Sequence, residues 1–173
     1  MIIPLEIKKI TDPAGKTDFR AVVYIEDAVK RPNTNVLLKD IEEEYTELVQ
    51  KSKKLLKEIQ RTKANRANAS LHWSFGDLVI RFLQRLREKG YFLANIGPTL
   101  SRDIGLSKRY IGYHIQLRED YLDVKSISDE ISWSRYQELL DVRDRQKRAI
   151  LAKKILNGEI TTRNELREFK KNI

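Results

Sequence analysis

The spacing of apolar residues changes once along the chain. Before residue 26 they gather in two short β-rich runs, and from about residue 36 onward they return every three or four positions. The two runs are Ile2 to Ile10 (IIPLEIKKI) and Phe19 to Ile25 (FRAVVYI). Asp12, Pro13 and Gly15 between them are turn residues, so the pattern predicts an N-terminal β-hairpin. Pro4 lacks a backbone donor and puts its strand at an edge. An isolated hairpin is marginal in water, so this one requires helices or a second chain to pack on.

After Arg31-Pro32-Asn33 the period predicts a long helix from about Val36 to about Arg66, capped by Thr34 or Asn35. Leu38, Ile41, Tyr45, Leu48, Ser52, Leu55 and Ile59 alternate by three and four, a heptad seam that Val49 and Leu56 widen. Such a stripe suits either a second chain or a bundle. Acids crowd the helix's first half and Lys and Arg its second, as its dipole prefers. A second amphipathic helix, Ser70 to Lys89, carries Leu71, Phe75, Leu78, Val79, Phe82, Leu83 and Leu86 and closes at Gly90.

Pro98 to Leu117 predicts two short helices joined by a sharp turn. Leu100, Ile104, Leu106, Ile111 and Ile115 are spaced to bury one side, Gly105 supplies a positive-φ corner, and Ser107 caps the second helix. Small Ser101 falls where the two would approach most closely. This is the pattern of a helix-turn-helix, whose second helix presents Lys108, Arg109, Tyr110, Tyr113 and His114 outward. After a polar connector, Asp123 to Glu130, a helix starts at Ile131 with Ser132 or Ser134 as cap. Another runs from Asp144 to Leu156 with Ile150, Leu151, Ile155 and Leu156 inward, and stops at Asn157-Gly158. Thr162 to Glu165 forms a capping box for a last helix that holds Leu166 and Phe169. Everything after residue 35 reads as helical. The fold class is therefore mainly α: an N-terminal β-hairpin and long helix, residues 1–69, followed by a helical domain with a helix-turn-helix, residues 70–173.

Composition narrows the chemistry. Lys and Arg number 34 against 25 Asp and Glu in 173 residues, a net charge of +9 that favours polyanionic partners. The excess is spread along the chain, so a binding face has to be made by folding. There is no cysteine, which removes thiolate chemistry, disulfides and Cys-type zinc sites. His72 and His114 are the only imidazoles and stand far apart in sequence, and His72 reads as a structural residue. No paired carboxylates, Ser/His/Asp set or phosphate-cradling glycines occur in a credible context, so no enzyme, metal or cofactor is expected. With no signal-like N-terminus and no long apolar run, the expected location is the cytoplasm, away from membranes.

Leu100 to Ile111 (LSRDIGLSKRYI), Ile131 to Leu140 (ISWSRYQELL) and Ile155 to Phe169 resemble the N-terminal helical domain of the YhcG-like family, in which such a domain precedes a PD-(D/E)xK nuclease. The resemblance covers roughly Leu71 to Phe169. The order of pieces is also similar to the central domain of ParB-like partition proteins. In departure from the family pattern, Gly90 to Gly97 is less glycine-rich, and Arg135 stands where a His is expected. The resemblance implies DNA binding and carries over no catalytic residue, because 173 residues leave no room for the nuclease.

The sequence thus predicts a regulator or partition-type factor that binds double-stranded DNA. Its candidate DNA-binding residues are Arg102, Ser107, Lys108, Arg109, Tyr110, Tyr113, His114, Arg118 and Arg135. Arg109 is the candidate for a bidentate guanine contact, with Lys108, Arg102, Arg118 and Arg135 on phosphates. Trp133 and Tyr136 are expected to be structural, and residues 2–59 to hold a homodimer. The alternatives are an interaction subunit that recruits a separate nuclease or other protein, or an RNA-binding module using Trp73, Tyr91, Phe92 and Trp133.

Overall fold

The computed structural model describes residues 3–8, 20–25, 34–62, 69–89, 91–94 and 96–171. These are mainly helical: α1 (Thr34–Thr62), α2 (Ala69–Glu88), α3 (Ile96–Ile104), α4 (Lys108–Asp120), α5 (Trp133–Leu140), α6 (Arg145–Leu156) and α7 (Arg163–Lys171). Three strands, β1 (Ile3–Lys8), β2 (Arg20–Ile25) and β3 (Tyr91–Ala94), pair antiparallel in the order β1-β2-β3. The turn residues Asp12, Pro13 and Gly15, and the continuation of α1 to Arg66, lie outside the described residues.

β3 corrects the expectation that everything after residue 35 is helical. Its four residues are too few to show a period, and it is held by β2, with Tyr91 opposite Ile25 and Ala94 opposite Val22. Such a pairing partner, distant in sequence, is invisible to local pattern.

By contacts the chain divides into two interleaved units, Met1–Lys54 with Leu78–Gly112, and Leu55–Asp77 with Tyr113–Ile173. In the first unit, Ile41, Tyr45 and Leu48 of α1 are buried, and the Tyr45 ring meets Phe82 of α2 edge-on at 6.2 Å. Lys89 spans Asp40 and Glu44 at 3.0 and 2.9 Å, and Arg85 reaches Glu44 at 2.9 Å. Ser52 is buried as well, and so, in the second unit, are Leu56 and Ile59. Five of the seven seam residues, Ile41, Tyr45, Leu48, Ser52 and Ile59, are thus buried within a single chain.

The second unit is built on Ala69, Trp73, Leu117, Ile131, Tyr136, Leu139, Leu140, Leu151, Ile155, Ile160 and Leu166. Tyr136 Oη accepts from Ser128 N–H at 3.0 Å, and burial pushes its phenol up to about 12 despite that bond. Caps set the helix starts. Asp144 accepts from the N–H groups of Gln146 and Lys147, and Thr162 and Glu165 exchange hydrogen bonds of 3.1 Å in the expected capping box. Ser132 occupies the N-cap of α5, but its hydroxyl pairs with that of Ser134 at 3.2 Å instead of capping the backbone. Gly158, at φ +77°, ends α6.

Two apolar residues expected inward, Ile150 and Leu156, are exposed, as is Phe169 of the last helix. Arg148 takes an interior position on α6 through hydrogen bonds to the Val142 carbonyl at 2.7 and 3.1 Å and an ion pair with Asp120. Glu138, also buried, receives Arg163, Arg167 and Lys170 of α7 at 2.7 to 2.9 Å, locking α7 to α5. Burial raises the Glu138 carboxyl pKa, and the hydrogen bonds from Arg167, Lys170 and Arg163 outweigh that and hold it down at about 2.

Candidate nucleic-acid interface

α3 and α4 are joined by a three-residue turn. The last turn of α3 closes on Ser101, whose carbonyl accepts from the N–H groups of Gly105 and Leu106 at 3.0 and 3.1 Å. Gly105 sits at φ +72° with nothing near where a Cβ would stand, so conformation, and not space, selects glycine here. The Ser101 hydroxyl donates to the Leu106 carbonyl, which ties the corner from inside. Ser107 Oγ then accepts from Tyr110 N–H at 3.2 Å, the cap expected from sequence. Leu100 and Ile111 are buried on either side of the turn.

The nine candidates separate into two sets. Arg102, Ser107, Lys108 and Arg109 are exposed, and Tyr110 is half-buried. All five belong to the turn, the helix end before it and the first turn of α4, and all lie in the first unit. Arg102 is steered by Asp103, whose Oδ1 accepts its Nε–H at 3.3 Å while Oδ2 accepts the Tyr45 hydroxyl at 2.8 Å. Burial and the bond to Asp103 both raise the Tyr45 pKa, so this phenol remains the donor. Lys108 and Arg109 are thus exposed on the first turn of α4, a helix end whose dipole favours an anion.

The other four are used inside the second unit. Tyr113 donates to Asp141 Oδ1 at 2.9 Å. Arg118 donates to Asp77 Oδ1 at 2.7 Å and lays its guanidinium 4.8 Å above the Trp73 ring. Arg135 donates to the Thr161 carbonyl. Arg118 is thus held by a part-buried acceptor, whereas the Arg135 side chain is half-exposed. His114 corrects the expectation most plainly. It is wholly buried, its Nε2 lies 2.9 Å from Nδ1 of the equally buried His72, and one ring must donate to the other.

Trp133 stacks on His72 with ring centres 4.0 Å apart and planes within 7° of parallel, and it meets His114 at 4.9 Å. Phe75 closes the same cluster, 4.6 Å from His114. Trp133 and Tyr136 are the structural residues expected. The two histidines are 42 positions apart, and no spacing could have announced their meeting. The approach of α2 to α4 depends on Gly76: a Cβ there would lie 2.7 Å from the carbonyl carbon of His114 and 3.0 Å from Arg118 Cβ.

Among the described residues no group of three His, Asp or Glu is placed to hold a metal ion, and no helix is long and apolar enough to cross a membrane. No family model, curated protein or solved structure matches the chain.

Proposed function

We propose that the protein binds double-stranded DNA through a helix-turn-helix formed by α3 and α4, as a regulator or partition-type factor. The observation that carries the reading is the exposed cationic start of α4, Lys108 and Arg109, set by the Ser107 cap and the Gly105 corner with Arg102 alongside. In this docking mode the first residues of the second helix meet base edges, and the neighbouring cations meet phosphates. Arg109 offers a planar fork that fits guanine O6 and N7, whereas Lys108 and Arg102 act as charges on the backbone. The net charge of +9 supports the same reading. His114, wholly buried against His72, lies outside this surface.

The relation to the YhcG-like and ParB-like domains belongs to this proposal, as does a homodimer through residues 2–59. With most of the α1 seam buried in one chain, the edge strand β1 is the candidate element for the dimer, and the mass in solution tests it.

The test of the DNA reading is duplex binding over a salt series with Arg109→Ala and Lys108→Ala, first on a random pool and then on the selected site. Arg109→Ala should cost about 1 to 3 kcal/mol on the selected site and relax preference at one base pair, while Lys108→Ala should weaken all duplexes alike and reduce the salt slope by about 1. Equal losses on selected and scrambled duplexes for Arg109→Ala would remove the base-reading role. Unchanged binding for Arg102→Ala, Lys108→Ala and Arg109→Ala would remove the interface.

A further inference from the structure

α6 has two apolar faces, and only one of them reaches the core. Leu151 and Ile155 are buried, yet Ile150 is 53% and Leu156 45% exposed. On the outer side, Arg145, Ala149, Ala152, Lys153 and Leu156 follow one another at offsets of four, seven, eight and eleven residues, which places them on one helical face. Together with Tyr121, which follows α4, they line a groove of about 390 Å³. Leu122, next to Tyr121 in sequence, is 77% exposed. The floor is electrically closed, because Arg148 pairs with Asp120 and donates to the Val142 carbonyl. The rim is cationic: the Arg145 side chain is 76% exposed, 3.6 Å from Asp120, and Lys153 is exposed across the groove mouth's length of helix.

We propose that this groove docks an acidic amphipathic segment of a partner protein. Its apolar side chains would enter between Tyr121, Ala152 and Leu156, and its carboxylates would meet Arg145 and Lys153. Three features select that occupant. Ala149 and Ala152 are small enough to let another backbone come close. The apolar lining has nothing to offer a phosphate chain, which calls for cations and not for Leu, Tyr and Ala side chains. The rim cations Arg145 and Lys153 call for carboxylates, and an acidic segment supplies them without the net +9 that a whole second copy would bring. The inference does not depend on DNA binding, since the groove lies wholly in the second unit while the exposed cations of α4 lie in the first.

The experiment is selection of binders from a displayed library of random peptides against the full chain, followed by fluorescence anisotropy of the enriched sequences. Enrichment of peptides with Asp and Glu flanking spaced Leu, Ile, Met or Phe is the result expected. Ala149→Glu and Lys153→Glu should each weaken the selected peptide at least tenfold, and Lys108→Ala, in the α4 first turn, should leave it unchanged. Positions 149 and 153 are both exposed, and matching thermal melts establish that each variant is folded. No enrichment, enrichment without acidic residues, or peptide binding that survives both variants overturns the proposal. A two-chain mass that falls to one in Ala149→Glu overturns it in favour of a second copy.

Discussion

Gly76→Ala sets local propensity against tertiary packing with opposite signs. In a helix interior, Gly to Ala stabilises by about 1 kcal/mol, because alanine loses less backbone entropy on folding. At Gly76 the added methyl would stand 2.7 Å from the His114 carbonyl carbon, closer still to its oxygen, and 3.0 Å from Arg118 Cβ. Two of those atoms are α4 backbone, so no side-chain rotation relieves the clash, and the helices must part where Phe75, His114 and Leu117 are fully buried. Overpacking of this kind costs about 1 to 3 kcal/mol and more where backbone must move. Set against the propensity gain, a net loss of about 2 kcal/mol is expected, a fall of about 4 to 8 °C in Tm for a chain of this size. Gly112, in the middle of α4, is the control. It is exposed, with nothing within 4 Å of its Cβ position, so Gly112→Ala should gain about 1 kcal/mol. Urea unfolding with an unchanged m-value is the assay. If Gly76→Ala proves as stable as the parent, the close crossing of α2 and α4 is refuted.

Three further outcomes follow from the second unit. Glu138, held at about 2 against an ordinary value of 4.5, contributes stability that is complete above about pH 4.5 and is lost as pH falls towards 2; the difference is worth up to about 3 kcal/mol, and acid titration of Glu138→Gln should show that loss abolished. His72→Ala and His114→Ala should each destabilise, and a double-mutant cycle should return a coupling of about 1 to 3 kcal/mol, with additivity the result that breaks the pair. Trp133→Ala removes the ring stacked on His72 and should cost about 3 kcal/mol in unfolding experiments, whereas intact stability would mean that the residue has another role.

Helix starts and stops were legible because their causes are local. Ser107, Asp144, Thr162 with Glu165, Gly105 and Gly158 act within four residues of themselves, so the turn between α3 and α4 and the last two helices could be read directly. The α1 seam was equally visible, since a three-four alternation shows which residues share a face. It does not show what covers that face, and the chain itself covers it at Ile41, Tyr45 and Leu48.

What tertiary structure alone decided is where polar groups go. A sequence marks Arg118, Arg135 and His114 as outward because charge and imidazole usually seek water, but Asp77, the Thr161 carbonyl and His72 bring them partners from 26 to 42 residues away. The burial of Arg148 and Glu138 follows the same physics, in which each group is tolerated inside only because its hydrogen bonds are met. Of the candidate DNA-binding residues, Arg102, Ser107, Lys108, Arg109 and Tyr110 are the ones that local geometry places at the turn. Ile150 and Leu156 move the opposite way, out of the core, because α6 gives its inward face to Arg148, Leu151 and Ile155, and no hydrophobic pattern on one helix can say which of two apolar faces its neighbours will choose.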